Sequence, residues 1–130
     1  MSLNDPLASA LSKIRNAENV GKAEVVLRPS SKMIKTVLSI LNDKMYIGGF
    51  EEVETQRGNY LTVNLIHSIN NVGVIKPRYA FKITDYEAVE KNYLPAKDFG
   101  VIIVTTSEGI MTLQEAKEKQ IGGKLVAFCY

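Results

Sequence analysis

Leu7, Ala10, Leu11 and Ile14 recur at three- and four-residue spacing, which gathers them on one side of an α-helix. Asp5 and Pro6 stand ahead of them, a capping residue type followed by a residue suited to a first turn, so a helix is predicted over 6–16. The run AEVVL at 23–27 reads as a short strand, interrupted by Arg28 and Pro29. Ser30 or Ser31 is placed to cap a second helix whose inner side carries Met33, Ile34, Val37, Leu38 and Leu41 and which should end near residue 45. Gly48 and Gly49 are expected to turn the chain into a strand over 50–55. Gly58 and Asn59 separate it from another over 60–66, where Leu61, Val63 and Leu65 alternate with Thr62 and Asn64, the period of a strand with one buried face. These two strands should form a hairpin.

Beyond residue 66 the pattern changes. Residues 72–83 are strand-like but broken by Pro77, which sheets accept at edges and bulges. A short helix is predicted over 85–93, stopped by Leu94 and Pro95, and the run FGVIIV at 99–104 is apolar enough for a buried strand. Thr112 and Glu115 have capping-box spacing and should start a helix of one or two turns through residue 119, after which Gly122 and Gly123 break the chain into a last strand over 124–130. The expected fold class is α+β: an α-β-α-β-β subdomain over 1–68 packed beside a β-rich subdomain with short helices over 69–130.

Composition narrows the possibilities. A chain of 130 residues with 45% apolar side chains has enough material for a core. A formal net charge of +2 is too small to attract a polyanion by itself, so nucleic-acid binding would depend on local clusters of cations. One cysteine, Cys129, excludes an internal disulfide, and with the one histidine, His67, it cannot complete a structural zinc site. A reducing, cytoplasmic setting is expected, with no cofactor. No run approaches the roughly 20 apolar residues of a membrane-spanning helix.

Catalytic chemistry finds little support. His67, in the loop-like HSINN, has no evident nucleophile or carboxylate neighbour in sequence, and Cys129 sits in an apolar strand where cysteine behaves as a small hydrophobe. Glu51, Glu52 and Glu54 read as a solvated strand edge, since Glu52 and Glu54 share a face without further ligands. Gly122-Gly123-Lys124 lacks the upstream glycine and following hydroxyl residue of a phosphate loop. No acid, base and nucleophile assemble, so neither an enzyme nor a small-molecule substrate is expected.

The cations are better placed than they are numerous. Residues 55–84 hold Arg57, Lys76, Arg78 and Lys82 with no acidic side chain, and KPRY at 76–79 sets two cations beside an aromatic ring. Lys32 and Lys35 share a helix face that begins at two serines, where backbone N–H groups favour an anion, while Lys13, Arg15 and Lys22 add charge. The plainer alternative is solvated lysine. The stretch VTTSEGIMT at 104–112 adds three hydroxyl residues, Thr105, Thr106 and Ser107, ahead of Gly109 at the end of a buried strand. Hydroxyls held there suit 2′-hydroxyls, phosphates and base edges of RNA, against the plainer reading of a Thr/Ser-rich strand end. Candidate RNA contacts are therefore Thr105, Thr106, Ser107 and Gly109, with Ser30, Ser31, Lys32, Lys35, Lys76, Arg78 and Lys124.

Seven blocks in order, DPLASALSKIRNA, RPSSK, YIGGFE, VGVIKPR, YLPAKDFG, VTTSEGIMT and EAKEKQIGGKLVAFCY, resemble the ribosomal protein S8 family of the small subunit across essentially the whole chain. The segment ITDYEAVEKNYLPAKDFG is similar to the archaeal and eukaryotic cytosolic form, and the DPLA start to the archaeal one. The resemblance implies a two-subdomain, non-catalytic protein that binds small-subunit ribosomal RNA directly at a helix of the central domain, early in assembly, beside neighbouring small-subunit proteins. It places Thr105, Thr106 and Ser107 in the family's hydroxyl loop and Ser30, Ser31 and Lys32 in a segment that touches the RNA backbone. Val89 departs from a frequent aromatic, and Asn71-Val72 from a usual Lys-Cys. The alternative function is a free-standing translational regulator that uses the same surface on messenger RNA.

Overall fold

The computed structural model describes residues 6–28, 30–76, 78–95 and 99–130. They fall into two compact units, Met1–Val72 and Gly73–Tyr130.

In the first unit, α1 (Pro6–Asn19) is followed by β1 (Glu24–Leu27), α2 (Lys32–Asp43), β2 (Ile47–Val53) and β3 (Tyr60–Leu65). The three strands form an antiparallel sheet in the order β1-β3-β2, so both β1 and β2 are edges. Helix α1 runs a turn beyond its predicted end because Ala17 continues the buried stripe of Leu7, Ala10, Leu11 and Ile14. Its last turn is also anchored: the buried Glu18 carboxylate accepts a hydrogen bond from Ile69 N at 3.1 Å. Asp5, the expected cap, lies outside the described residues.

Ser31 is the N-cap of α2, its hydroxyl accepting from Ile34 N at 3.1 Å, and Ile34, Val37, Leu38 and Leu41 are buried as the spacing requires. The expected turn at Gly48-Gly49 is not there. The chain reverses at Met45, which has φ 64, and Tyr46 N donates to Leu41 O at 2.9 Å. Gly48 and Gly49 instead lie within β2, where the register with β3 shifts between Ile47 and Phe50. A Cβ on Gly48 would come within 2.8 Å of the Ile66 side chain, so the glycine permits close strand approach rather than reversal. The β2–β3 hairpin forms as its alternation predicts, with Leu61, Val63 and Leu65 buried.

The remaining elements are β4 (Val72–Val74), β5 (Ala80–Phe81), a 3-10 turn (Ile83–Asp85), α3 (Tyr86–Tyr93), β6 (Val101–Thr106), β7 (Gly109–Thr112), α4 (Leu113–Lys119) and β8 (Gly123–Cys129). The broken strand at 72–83 is thus two short strands, both paired to β8; Pro77 lies outside the described residues. The main path runs β4-β8-β6-β7. Ile102, Val104, Met111, Leu125, Phe81 and Tyr86 belong to one buried cluster, and Val89, where an aromatic was the familiar alternative, is buried with them. Tyr86 closes this core by donating its hydroxyl to Ile121 O at 2.8 Å, just past α4.

Thr112 caps α4, accepting from Glu115 N at 3.1 Å. As the spacing predicts, α4 runs through Lys119; its C-cap is Gln120, with φ 56, and the two glycines follow it. Gly122 and Gly123 serve contact. A Cβ on Gly122 would lie 2.6 Å from Phe81 O, and one on Gly123 would lie 2.2 Å from Thr105 O. No side chain fits between β8 and its neighbours there.

Candidate nucleic-acid interface

The buried strand β6 carries its apolar residues to Val104 and then delivers Thr105 and Thr106, both half-buried, to the accessible end of the sheet. Strand β7, which the sequence reading did not separate, returns from the tip. Cross-strand register fixes which side chains meet. Thr105 stands opposite Ile110 on one side and Lys124 on the other, and Lys124 stands opposite Ala80. Directly opposed residues share a face, so Ala80, Lys124, Thr105 and Ile110 form one row across four strands. Ala80 and Lys124 are exposed, and Thr105 and Ile110 are half-buried. The close packing at Gly123 keeps Lys124 in this row.

The three hydroxyls differ in what they have left to offer. Thr106 Oγ1 donates to Gly109 O at 3.0 Å and accepts from Glu108 N at 3.1 Å, so this hydroxyl is engaged within the turn that shapes the loop. Ser107 is exposed at the tip. Gly109 follows with φ 112, a conformation that disfavours any side chain. Glu108 is tied to α4 through Lys119 Nζ at 3.6 Å, an exposed pair of small energetic weight that leaves Ser107 as the tip's outward group.

Lys76 and Arg78 are both exposed on the segment between Ile75 and Tyr79. That segment is held at its two ends to β8, Ile75 N donating to Val126 O and Leu125 N to Tyr79 O, each at 2.9 Å. The second unit therefore brings Lys124, Thr105, Thr106, Ser107 and Gly109 together and sets Arg78 two residues from the Ala80 end of the row.

In the first unit Ser30, Ser31, Lys32 and Lys35 gather at the start of α2. A residue read as solvated edge organises them. Glu52 accepts from Ser30 Oγ at 2.5 Å, from Asn59 Nδ2 at 3.3 Å and from Lys35 Nζ at 3.2 Å. Ser30 N also donates to Asn59 O at 3.1 Å, pinning the segment before α2 to the β2–β3 hairpin. The Ser30 hydrogen bond above all, then that of Lys35, holds the Glu52 carboxyl below its ordinary range, so it is charged at neutral pH. No sequence signal marks Glu52, because its partners lie 22, 17 and 7 positions away.

Other candidates resolve as structure. His67 has φ 60 and sets Nδ1 3.3 Å from Glu18, so it does have a carboxylate neighbour, supplied by α1. The other oxygen of that carboxylate holds Ile69 N. Cys129 is buried. Lys13 and Lys22 line a groove with Val20 and Val26 beside β1. Among the described residues no group of three or more His, Cys, Asp or Glu side chains could hold a metal ion.

Against known proteins, the family described as Ribosomal protein S8 matches residues 5–130. The Small ribosomal subunit protein uS8 of Methanococcoides burtonii (strain DSM 6242) is 52% identical over 130 residues, covering 100% of both chains.

Proposed function

This chain belongs to the ribosomal protein S8 family and is a small-subunit ribosomal protein rather than an enzyme, and from that premise we propose that it binds small-subunit ribosomal RNA directly, through a helix of the central domain, and supports subunit assembly in the cytoplasm. The observation that carries the proposal is the row Ala80, Lys124, Thr105 and Ile110 with Ser107 beyond it: a strip with one cation, two hydroxyls and two apolar side chains, backed by a packed core. Such a strip suits the shallow minor groove or an irregular internal loop of RNA, where 2′-hydroxyls and base edges lie within reach of short side chains. Ser107 and Thr105 contribute hydrogen bonds, Lys124 and Arg78 meet phosphates, and Thr106 and Gly109 hold the loop's shape. On the first unit, Ser31 and Lys32 meet backbone phosphates, which position a protein without reading sequence.

The test is binding of the full chain to a central-domain helix of the ribosomal RNA, compared with the same helix in which the internal loop is replaced by paired bases. The proposal expects tight binding to the first and a loss of at least tenfold, about 1.4 kcal/mol, for the second. Equal binding to both RNAs would remove the internal loop as the target.

A further inference from the structure

Ser30 and Ser31 are neighbours of the same residue type, yet their hydrogen bonds leave them with opposite polarity. A serine hydroxyl has one proton to donate and lone pairs to accept with. Ser31 uses a lone pair as the N-cap of α2, so its proton is available. Ser30 donates its proton to the Glu52 carboxylate, so what it presents outward is a lone pair. Glu52 is itself fixed by Lys35 and Asn59, and the backbone bond from Ser30 N to Asn59 O fixes Ser30. The hydroxyl of Ser30 is therefore oriented from two sides.

Phosphate oxygens only accept hydrogen bonds. They find a donor at Ser31 and none at Ser30. The backbone group of RNA that donates is the ribose 2′-hydroxyl, and it recurs at every nucleotide beside a phosphate. We propose that Glu52 is a positioning residue that makes Ser30 a reader of a ribose 2′-hydroxyl, while Ser31 and Lys32 take an adjacent phosphate. The pair would let the first unit distinguish RNA from DNA at one nucleotide without contacting a base. Because Lys35 neutralises Glu52, this patch carries little net charge, which suits a neutral ligand group. The inference rests on the reading above that the first unit meets the RNA backbone.

The experiment uses the full chain and the same central-domain RNA helix, with single 2′-deoxy substitutions scanned along each strand. One position is expected to weaken wild-type binding by about threefold to tenfold, the range of one hydrogen bond. Ser30→Ala should weaken binding to unmodified RNA similarly and abolish the penalty at that position, leaving penalties elsewhere intact. Glu52→Gln keeps an acceptor for Ser30 and should retain the position-specific penalty, whereas Glu52→Ala should lose it. A merely structural role for Glu52 would instead shift all positions together. Lys32→Ala separates the two layers of the argument. If it lowers the salt dependence of binding while Ser30→Ala leaves every 2′-deoxy penalty in place, the first unit meets RNA but Ser30 does not read the ribose. If neither variant changes binding, the backbone reading of the first unit falls, and this inference with it.

Discussion

Thr106 and Ser107 are adjacent and chemically alike, and the structure gives them different work. Thr106 is held in two hydrogen bonds of the turn, while Ser107 is exposed at its tip. Thr106→Val should lower stability by about 1 kcal/mol, the net worth of such a bond, read as a drop in Tm. Ser107→Ala should leave Tm unchanged and weaken RNA binding by about 0.5–1.5 kcal/mol in a filter-binding assay. A reversed pattern would exchange their roles. Glu52 makes a prediction in pH. Its carboxyl, held low chiefly by Ser30, has a folded-state value below the ordinary 4.5 of glutamate. A lowered value contributes stability that is fully present above pH 4.5 and lost as the pH falls through the folded value. Tm measured between neutral and acidic pH should therefore fall more steeply in the wild type than in Glu52→Gln, and identical slopes would show that the carboxylate is not stabilised by folding.

At the scale of elements, two junctions hold the architecture that the site depends on. The first is the end of α1, where the buried Glu18 carboxylate takes Ile69 N and His67 Nδ1. Glu18→Ala leaves a buried N–H without its acceptor and should cost about 1–3 kcal/mol in chemical denaturation, with amide exchange accelerated at Ile69. The second is the approach of β8 to β6 at Gly123. Any side chain there meets Thr105 O, 2.2 Å from an ideal Cβ, so Gly123→Ala must displace backbone. That substitution should lower stability by about 1–3 kcal/mol or more and weaken RNA binding with it, because Lys124 and Thr105 lose their register. Gly109→Ala meets no neighbour but has φ 112, so its effect should be confined to loop strain. Comparing the two variants by circular dichroism separates a packing glycine from a turn glycine.

For the whole molecule, a formal net charge of +2 provides little general attraction to RNA, so salt dependence should come from particular cations. Each side chain that neutralises a phosphate should lower the slope of log affinity against log salt by about 0.7–0.9 when changed to alanine. Lys32, Lys76, Arg78 and Lys124 should each do so, and should weaken binding to cognate and unrelated RNA alike. Lys35→Ala should lower the slope by less, since Lys35 is already paired with Glu52. Four variants with the wild-type slope would make these lysines and the arginine ordinary solvated surface.

The helices and most strands were legible because their signals are local: the stripe from Leu7 to Ile14, the Ser31 and Thr112 caps and the alternation at Leu61, Val63 and Leu65 each lie within a few residues. The seven ordered blocks that resemble the family are likewise local, each a short run of consecutive residues. The left-handed conformations of the non-glycine residues Met45 and Gln120 were not legible, because no residue type marks them; both are exposed, and backbone hydrogen bonds from Tyr46 N to Leu41 O and from Ile121 N to Ala116 O close the helix ends around them. Nor could sequence tell a glycine that reverses the chain from one that lets two strands touch, which set Gly48 and Gly123 apart from Gly109. The candidate contacts were chosen as residue types, and folding decided what each had left to offer. Thr106 faces its own turn, Lys35 and Ser30 are taken by Glu52, and Lys124 shares a row with Thr105. Those pairings join positions up to 22 residues apart within the first unit and 19 or more apart across β6 and β8. Hydrogen-bond polarity and strand register are properties of pairs, and only the tertiary structure brings such pairs together.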